Sequence, residues 1–292
     1  MNRRNLTLTF LGTGTSLGVP MLGCDCEVCS SIDKRDIRLR TSCLLTFDKI
    51  NCKTNKPWQL VIDAGPDFRY QMLRERVQYL DAILLTHEHR DHIAGLDDVR
   101  AYNYIQKCPM PVYGNQETII GLKKMMYYAF DNAAYPGVPE FELHLIGINT
   151  DREKINNNSS AFNDTKDNLT LSESFFIGDI EILPIEVMHA QLPTLAYRVG
   201  TFAYITDAKT INNKEKEKLI GVKTLVVNAL RREEHFSHFT LDQALQLIDS
   251  INPDIAYLTH LSHLMGPYKD FQRFLPSNVH LAYDRLKINI EY

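Results

Sequence analysis

Long apolar runs are missing from this sequence: no stretch approaches the roughly 18 consecutive apolar residues that cross a bilayer. Cysteine is sparse, with 6 in 292 residues, too few in a chain this long for a disulfide-built scaffold. Positive charge is not in excess. The 32 basic residues stand against 36 acidic ones, a net charge of −4, so long nucleic acid is not an expected partner. Glycine (14) and proline (12) are at ordinary levels, which excludes collagen-like and low-complexity chains. What remains, 44% hydrophobic and 23% charged residues, describes a globular chain able to bury a substantial core. The opening Leu6-Thr7-Leu8-Thr9-Phe10-Leu11 alternates with threonine and runs into Gly-Thr-Gly, with no cleavage site. It reads as a first strand and not a signal peptide, so a cytoplasmic location is expected.

Strand-like runs fall at 5–11, 42–47, 58–63 and 80–85. A helix is expected over 93–105, a strand over 111–114 and a helix over 118–130. A strand-rich block covers 172–206. Beyond it, helices at 212–219 and 239–250 alternate with strands at 223–229 and 255–259, and a last strand lies at 286–291. Two packed sheets covered by helices suit this order. No internal repeat or linker divides the chain, so residues 1–292 are expected to form one domain. The segment 149–174 is polar and charged and reads as a long surface insertion.

Thr86-His87-Glu88-His89-Arg90-Asp91-His92 follows directly on an apolar strand. His87 and His89 are two apart and point the same way on an extended backbone, so they suit one metal. Asp91 and His92 fall where the chain turns and suit a second. Neutral imidazole and carboxylate are ligands for zinc, manganese or iron.

Cys24, Cys26 and Cys29 form a second cluster, Cys-x-Cys-x-x-Cys. Three thiolates on one short loop repel one another unless a cation holds them. Tetrahedral zinc needs a fourth ligand, for which His235, His238 and His263 are candidates. The preceding Gly12-Thr13-Gly14-Thr15-Ser16-Leu17-Gly18 lacks the lysine of a phosphate-binding loop and reads as a tight turn. His144 and His280 lie inside strand-like segments and read as ordinary packed or surface histidines.

His-x-His-x-Asp-His after a strand resembles the signature of the metallo-β-lactamase superfamily. The resemblance implies an αββα four-layer sandwich with two divalent metal ions at one edge. It implies Asp63 as the aspartate behind the ligands, His189 as third ligand of the first metal, Asp207 as the carboxylate shared by both, and His260 as last ligand of the second. With the cysteine loop and Thr259-His260-Leu261-Ser262-His263, the chain resembles more narrowly the family of phosphoribosyl 1,2-cyclic phosphate phosphodiesterases. That resemblance implies a structural zinc on Cys24, Cys26, Cys29 and His263. It also implies His238 as general acid, with His235 as substitute, and catalytic roles for Asp63 and Asp91. The implied activity is hydrolysis of a small phosphodiester, with homodimerisation an expectation drawn from relatives. Competing expectations are hydrolysis of a thioester or lactone, tRNA 3′-end processing, or a non-catalytic zinc-binding role. Arg100 could face a substrate phosphate or pair with Asp97 on a helix surface.

Overall fold

The computed structural model describes residues 5–131, 136–147 and 174–292. One mixed sheet contains β1 (Asn5–Gly12), β2 (Ser42–Asn51), β3 (Lys56–Ile62), β4 (Ala82–Leu84), β5 (Met110–Gly114) and β6 (Phe141–Leu145) in that order. The other contains β7 (Phe175–Ile177), β8 (Ile180–His189), β9 (Leu192–Val199), β10 (Phe202–Ile205), β11 (Thr224–Asn228), β12 (Ile255–Thr259) and β13 (Val279–Leu281). The final strand β14 (Lys287–Glu291) returns to the first sheet and pairs antiparallel with β1. In each sheet the early strands pair antiparallel and the later ones, β3 to β6 and β10 to β13, pair parallel.

Alternation along the strands builds three apolar layers. In β3, Leu60 and Ile62 enter the core between the sheets, while Val61 faces the helices outside. In β10, Phe202 and Tyr204 point inward, and Ala203 and Ile205 outward. Strands buried on both faces are why these segments read as nearly continuous apolar runs. Each fully buried Leu, Ile or Phe contributes about 1.5–3 kcal/mol relative to exposure.

On one outer face lie α1 (Phe68–Glu75), α2 (Arg90–Ile93), α3 (Arg100–Gln106) and α4 (Gln116–Met125), with Phe68, Met72, Ile93, Tyr102 and Leu122 in the apolar layer. On the other face lie α5 (Asn213–Glu217), α6 (Leu241–Ile251) and α7 (Tyr268–Phe271). The helix α6 starts at a capping box, Thr240 with Gln243, and buries Ala244, Leu247 and Ile248 at helical spacing. The result is the expected αββα four-layer sandwich.

Local differences from the sequence reading have physical causes. The helix expected at 93–105 is broken into α2, a short turn over Leu96–Val99 and α3. Gly95 interrupts it: its N–H bonds Ala64 O at 2.8 Å, and a Cβ there would lie 2.0 Å from Gly65 O. The backbone contact that brings the 63–65 loop beside the histidine motif therefore takes precedence over helix continuity. The helix expected at 118–130 runs over 116–125, capped by Asn115. The block at 172–206 resolves into β7, β8, β9 and β10. The insertion expected at 149–174 lies outside the described residues, apart from Ser174, whose hydroxyl donates to Glu181 at 2.6 Å.

Candidate metal centre

Strand direction decides which side chains can meet. β1, β3, β4, β8, β10, β11 and β12 share one direction within their sheets, as the pairing pattern requires. Their C-terminal ends carry the Gly12–Gly18 loop, Asp63, the histidine motif, His189, Asp207 and His260. Two bonds pin the sheets together at this edge: Leu195 N–H donates to Thr86 O at 2.9 Å, and Tyr197 Oη donates to Leu85 O at 2.5 Å. Asp63, Asp207 and His260 all adopt left-handed backbone conformations, with φ of 62°, 52° and 55°. Such residues cost on the order of 1–3 kcal/mol each outside glycine, less for Asp, and cluster at functional sites.

The side chains converge as two groups. One donor atom each from His87, His89 and His189 lies within 4.8 Å of the others, and the same holds for Asp91, His92, Asp207 and His260. Asp207 Oδ2 lies 3.3 Å from His92 Nε2, and Asp207 Oδ1 lies 3.2 Å from His260 Nε2. His92 Nε2 also lies 3.2 Å from Asp91 Oδ2. The rings of His87 and His92 are 4.2 Å apart, so the two groups adjoin. His144 and His280 join neither group, as expected.

The groups behind these donors fix their outward atoms. Asp63, fully buried, accepts from Thr86 N–H at 2.8 Å and Thr86 Oγ1–H at 2.9 Å, and His92 Nδ1 lies 2.7 Å from its Oδ2. His87 Nδ1 bonds Thr86 Oγ1 at 3.0 Å, and His189 Nδ1 donates to Ser237 O at 2.9 Å. With Nδ1 engaged, Nε2 is the free ligand atom. Thr86 and Ser237 were not singled out from sequence; Thr86 stands directly before the histidine motif, whereas a backbone carbonyl leaves no sequence signal.

Buried polar atoms ordinarily have partners. Here His87 Nε2, His92 Nε2 and both ring nitrogens of His260 have no hydrogen-bond partner. Orphaned imidazole nitrogens aimed at one another and at carboxylates fit divalent cations. The electrostatics agree. Burial pushes His87 well below the usual histidine range and His260 down to about 4. Burial alone would raise Asp207, but His260, His92 and the bond from His238 outweigh it and hold the carboxyl well below its usual range.

His238 sits inside the centre. Its Nε2 lies 2.9 Å from Asp207 Oδ1, its Nδ1 lies 2.9 Å from Ser237 Oγ, and its ring stacks on His260 at 4.8 Å. His189, Asp207 and His238 also group closely enough to share an ion. His235 is half-buried, with Nδ1 3.2 Å from His238 Nδ1. Arg100 pairs with Asp97 at 3.3 Å on the helix surface, the structural one of its two expected roles.

The cysteine cluster is separate and half-buried. Donors of Cys24, Cys26, Cys29 and His263 lie within 4.8 Å of one another, and His263 Nδ1 is 3.3 Å from both Cys24 Sγ and Cys26 Sγ. Tetrahedral zinc bonded to sulfur and nitrogen would separate them by about 3.6 Å. The Cys29 N–H pulls the Cys26 thiol down to about 6, whereas burial and the neighbouring Cys24 and Cys26 push Cys29 up to about 11. All three ionise together only if a cation joins them. Of the three histidine candidates, His263 is the one in place. The loop is tied to the catalytic edge: Leu261 N–H donates to Thr13 O at 2.9 Å, and Thr15 N–H donates to Leu261 O at 3.1 Å.

Comparison with known proteins places this geometry among relatives. Residues 59–261 match the family described as a beta-lactamase superfamily domain. A solved structure described as a new diphosphatase from the PhnP family is 35% identical, covers 98% of each chain and has a TM-score of 0.82. Human short-form tRNase Z, 16% identical, covers 97% of this chain and 98% of its own with a TM-score of 0.64, a likeness of fold alone. The curated octanoyltransferase of Porphyromonas gingivalis is 36% identical over 282 residues, 96% of this chain and 51% of that protein. The chain therefore spans about half the length of the curated relative it matches.

Proposed function

The chain belongs to the metallo-β-lactamase superfamily as a hydrolase resembling the PhnP family, and on that premise we propose that it is a metal-dependent phosphodiesterase acting on a small phosphate ester. The observation that carries this is the complete donor set, His87, His89 and His189 beside Asp91, His92 and His260, with Asp207 among them. Two divalent cations held there, zinc, manganese or iron, supply Lewis acidity that brings the pKa of water toward neutrality and offsets charge on phosphoryl oxygens. Cys24, Cys26, Cys29 and His263 would hold a structural zinc with no open position.

The chain's own residues do the rest. Asp63 and Thr86 fix the ring of His92, and the Ser237 carbonyl fixes His189, so the donors are aligned before substrate arrives. The Asp207 carboxylate, kept ionised, supplies one oxygen toward His92 and the other toward His260. As general acid His238 acts as the imidazolium, with Nδ1–H donating to Ser237 Oγ and Nε2–H directed at Asp207 Oδ1. From Nε2 that proton passes to the departing oxygen as the phosphorus–oxygen bond breaks. The products are a phosphate monoester and an alcohol. A diphosphate substrate, suggested by the name of the PhnP-family relative, would yield two phosphates by the same displacement.

We take residues 1–292 as one catalytic domain, cytoplasmic, working alone or as a homodimer without membrane or long nucleic acid. No helix among the described residues is long and apolar enough to cross a membrane. The direct assay is hydrolysis of bis(p-nitrophenyl) phosphate with added manganese or zinc. Turnover is expected, and none from protein carrying its metals would contradict the proposal. A second reading, hydrolysis of an acyl ester or thioester, draws on the name of the curated relative. It predicts faster cleavage of p-nitrophenyl octanoate than of the phosphodiester.

A further inference from the structure

Resting on the metal-dependent phosphodiesterase reading, we propose that Asn228 is a positioning residue: through the backbone of Ala208 it sets Asp207 for the shared ions. β10 and β11 pair in parallel up to Ile205 and Val227. Beyond that pair the chain turns away at Asp207, whose backbone is left-handed. The ladder thus ends before the N–H and C=O of Ala208, a residue that is fully buried. Buried backbone groups need partners. The Asn228 side chain supplies them. Its Oδ1 accepts from Ala208 N–H at 2.9 Å, and its Nδ2–H donates to Ala208 O at 3.0 Å. A carboxamide offers an uncharged donor and acceptor side by side, as a peptide edge does. The amide therefore continues the ladder after the backbone has left it.

Several members of the centre are joined at this point. Ala208 follows Asp207 directly, and its carbonyl also accepts from Phe239 N–H at 2.7 Å, which seats the neighbouring His238. Lys209 N–H donates to Met188 O at 2.7 Å, and Met188 N–H donates to Thr210 O at 2.9 Å. These bonds hold the segment against the end of β8, just before His189. Asn228 itself pairs in register with Thr259, the residue before His260. Asn228 is fully buried, so water does not compete for its amide. A left-handed aspartate persists only where its surroundings over-determine it. The Thr206 hydroxyl, donating to Asp207 Oδ2 at 2.6 Å, fixes the carboxylate. Asn228 fixes the backbone that carries it. Without the amide the Ala208 peptide loses its partner and Asp207 relaxes. Its two oxygens then leave the positions 3.3 Å from His92 Nε2 and 3.2 Å from His260 Nε2.

Asn228→Leu keeps the shape of the side chain and removes both bonds. The probe is manganese, which suits imidazole and carboxylate better than thiolate, titrated into the full chain and read from the electron paramagnetic resonance of the free ion. Asn228→Leu is expected to bind it about 10–100-fold more weakly than wild type. In the manganese-loaded protein, kcat for bis(p-nitrophenyl) phosphate should fall by a similar factor while KM stays within about twofold, because Asn228 acts on the ions and not on the substrate. The control Ile290→Ala opens the core at β14, on the edge strand of the other sheet. It should lower Tm and leave manganese affinity unchanged. Wild-type affinity in Asn228→Leu, an equal loss of affinity in Ile290→Ala, or a raised KM at constant kcat overturns the proposal. If Asn228→Leu does not fold, Asn228→Ser decides by the same titration. If wild type binds manganese but cleaves no phosphodiester, the phosphodiesterase reading falls alone, and the titration still decides the role of Asn228. Wild type binding no manganese rejects both.

Discussion

The two donor clusters differ in what holds them. The histidine and aspartate cluster stands at the ends of strands anchored in the core between and outside the sheets, and most of its members are buried. The cysteine cluster stands on a loop with no regular element between Gly12 and Lys34, and its three thiols are half-buried. Position in the first is set by β-ladders that exist without a metal. Position in the second depends on a cation to join groups that otherwise repel. Metal at the first site should therefore matter most to chemistry, and metal at the second most to the fold.

Four substitutions sharpen or break that contrast. Asp207→Ala, removing the carboxylate near both His92 and His260, should lower phosphodiester turnover by about a thousandfold or more while thermal unfolding changes little. A collapse of Tm to match would erase the distinction. Cys26→Ala should do the reverse, lowering Tm by on the order of 10 °C through loss of a folding-linked ion. A variant with an unchanged melting curve would show that the loop needs no cation. Asp63→Asn should weaken metal binding or activity about 10–100-fold by loosening the ring of His92, read by titration with a metal chelator. An affinity equal to wild type would mean that the Asp63–His92 contact at 2.7 Å aligns nothing.

The smallest effect tests the loop's own support. The Arg35 side chain and the Arg35 N–H hold the Asp33 carboxyl down to about 2. A carboxyl depressed in the folded state contributes stability above its unfolded pKa near 4, and that contribution fades as pH falls through about 2. Because the Arg35 side chain is 44% exposed, screening limits the pair to under about 1 kcal/mol. Asp33→Asn should flatten stability between pH 4 and 2 in urea titrations; an unchanged acid limb would assign that slope elsewhere.

The same division explains what the sequence made legible. Ligands that follow apolar runs, such as His189 after β8 and His260 after β12, announce themselves because the strand and its polar end are adjacent in the chain. The convergence of Cys24 with His263 crosses 239 positions, and residue chemistry alone left three histidines open until family resemblance chose one. The helix α1 escaped notice because its buried face includes polar Gln71, which donates to Arg40 O at 3.0 Å and does not extend an apolar stripe. Gly65 carries no chemistry that a sequence reading would single out, yet a Cβ there would lie 1.8 Å from Asp91 O. That contact seats the histidine motif beside Asp63.

Elemental analysis of the purified, metal-reconstituted protein tests the central claim most directly. Wild type should carry about three divalent ions per chain, Cys26→Ala about two and Asp207→Ala about one. Wild-type protein binding no transition metal, or Asp207→Ala retaining the full complement, would contradict the convergence of these strand-end side chains on shared ions.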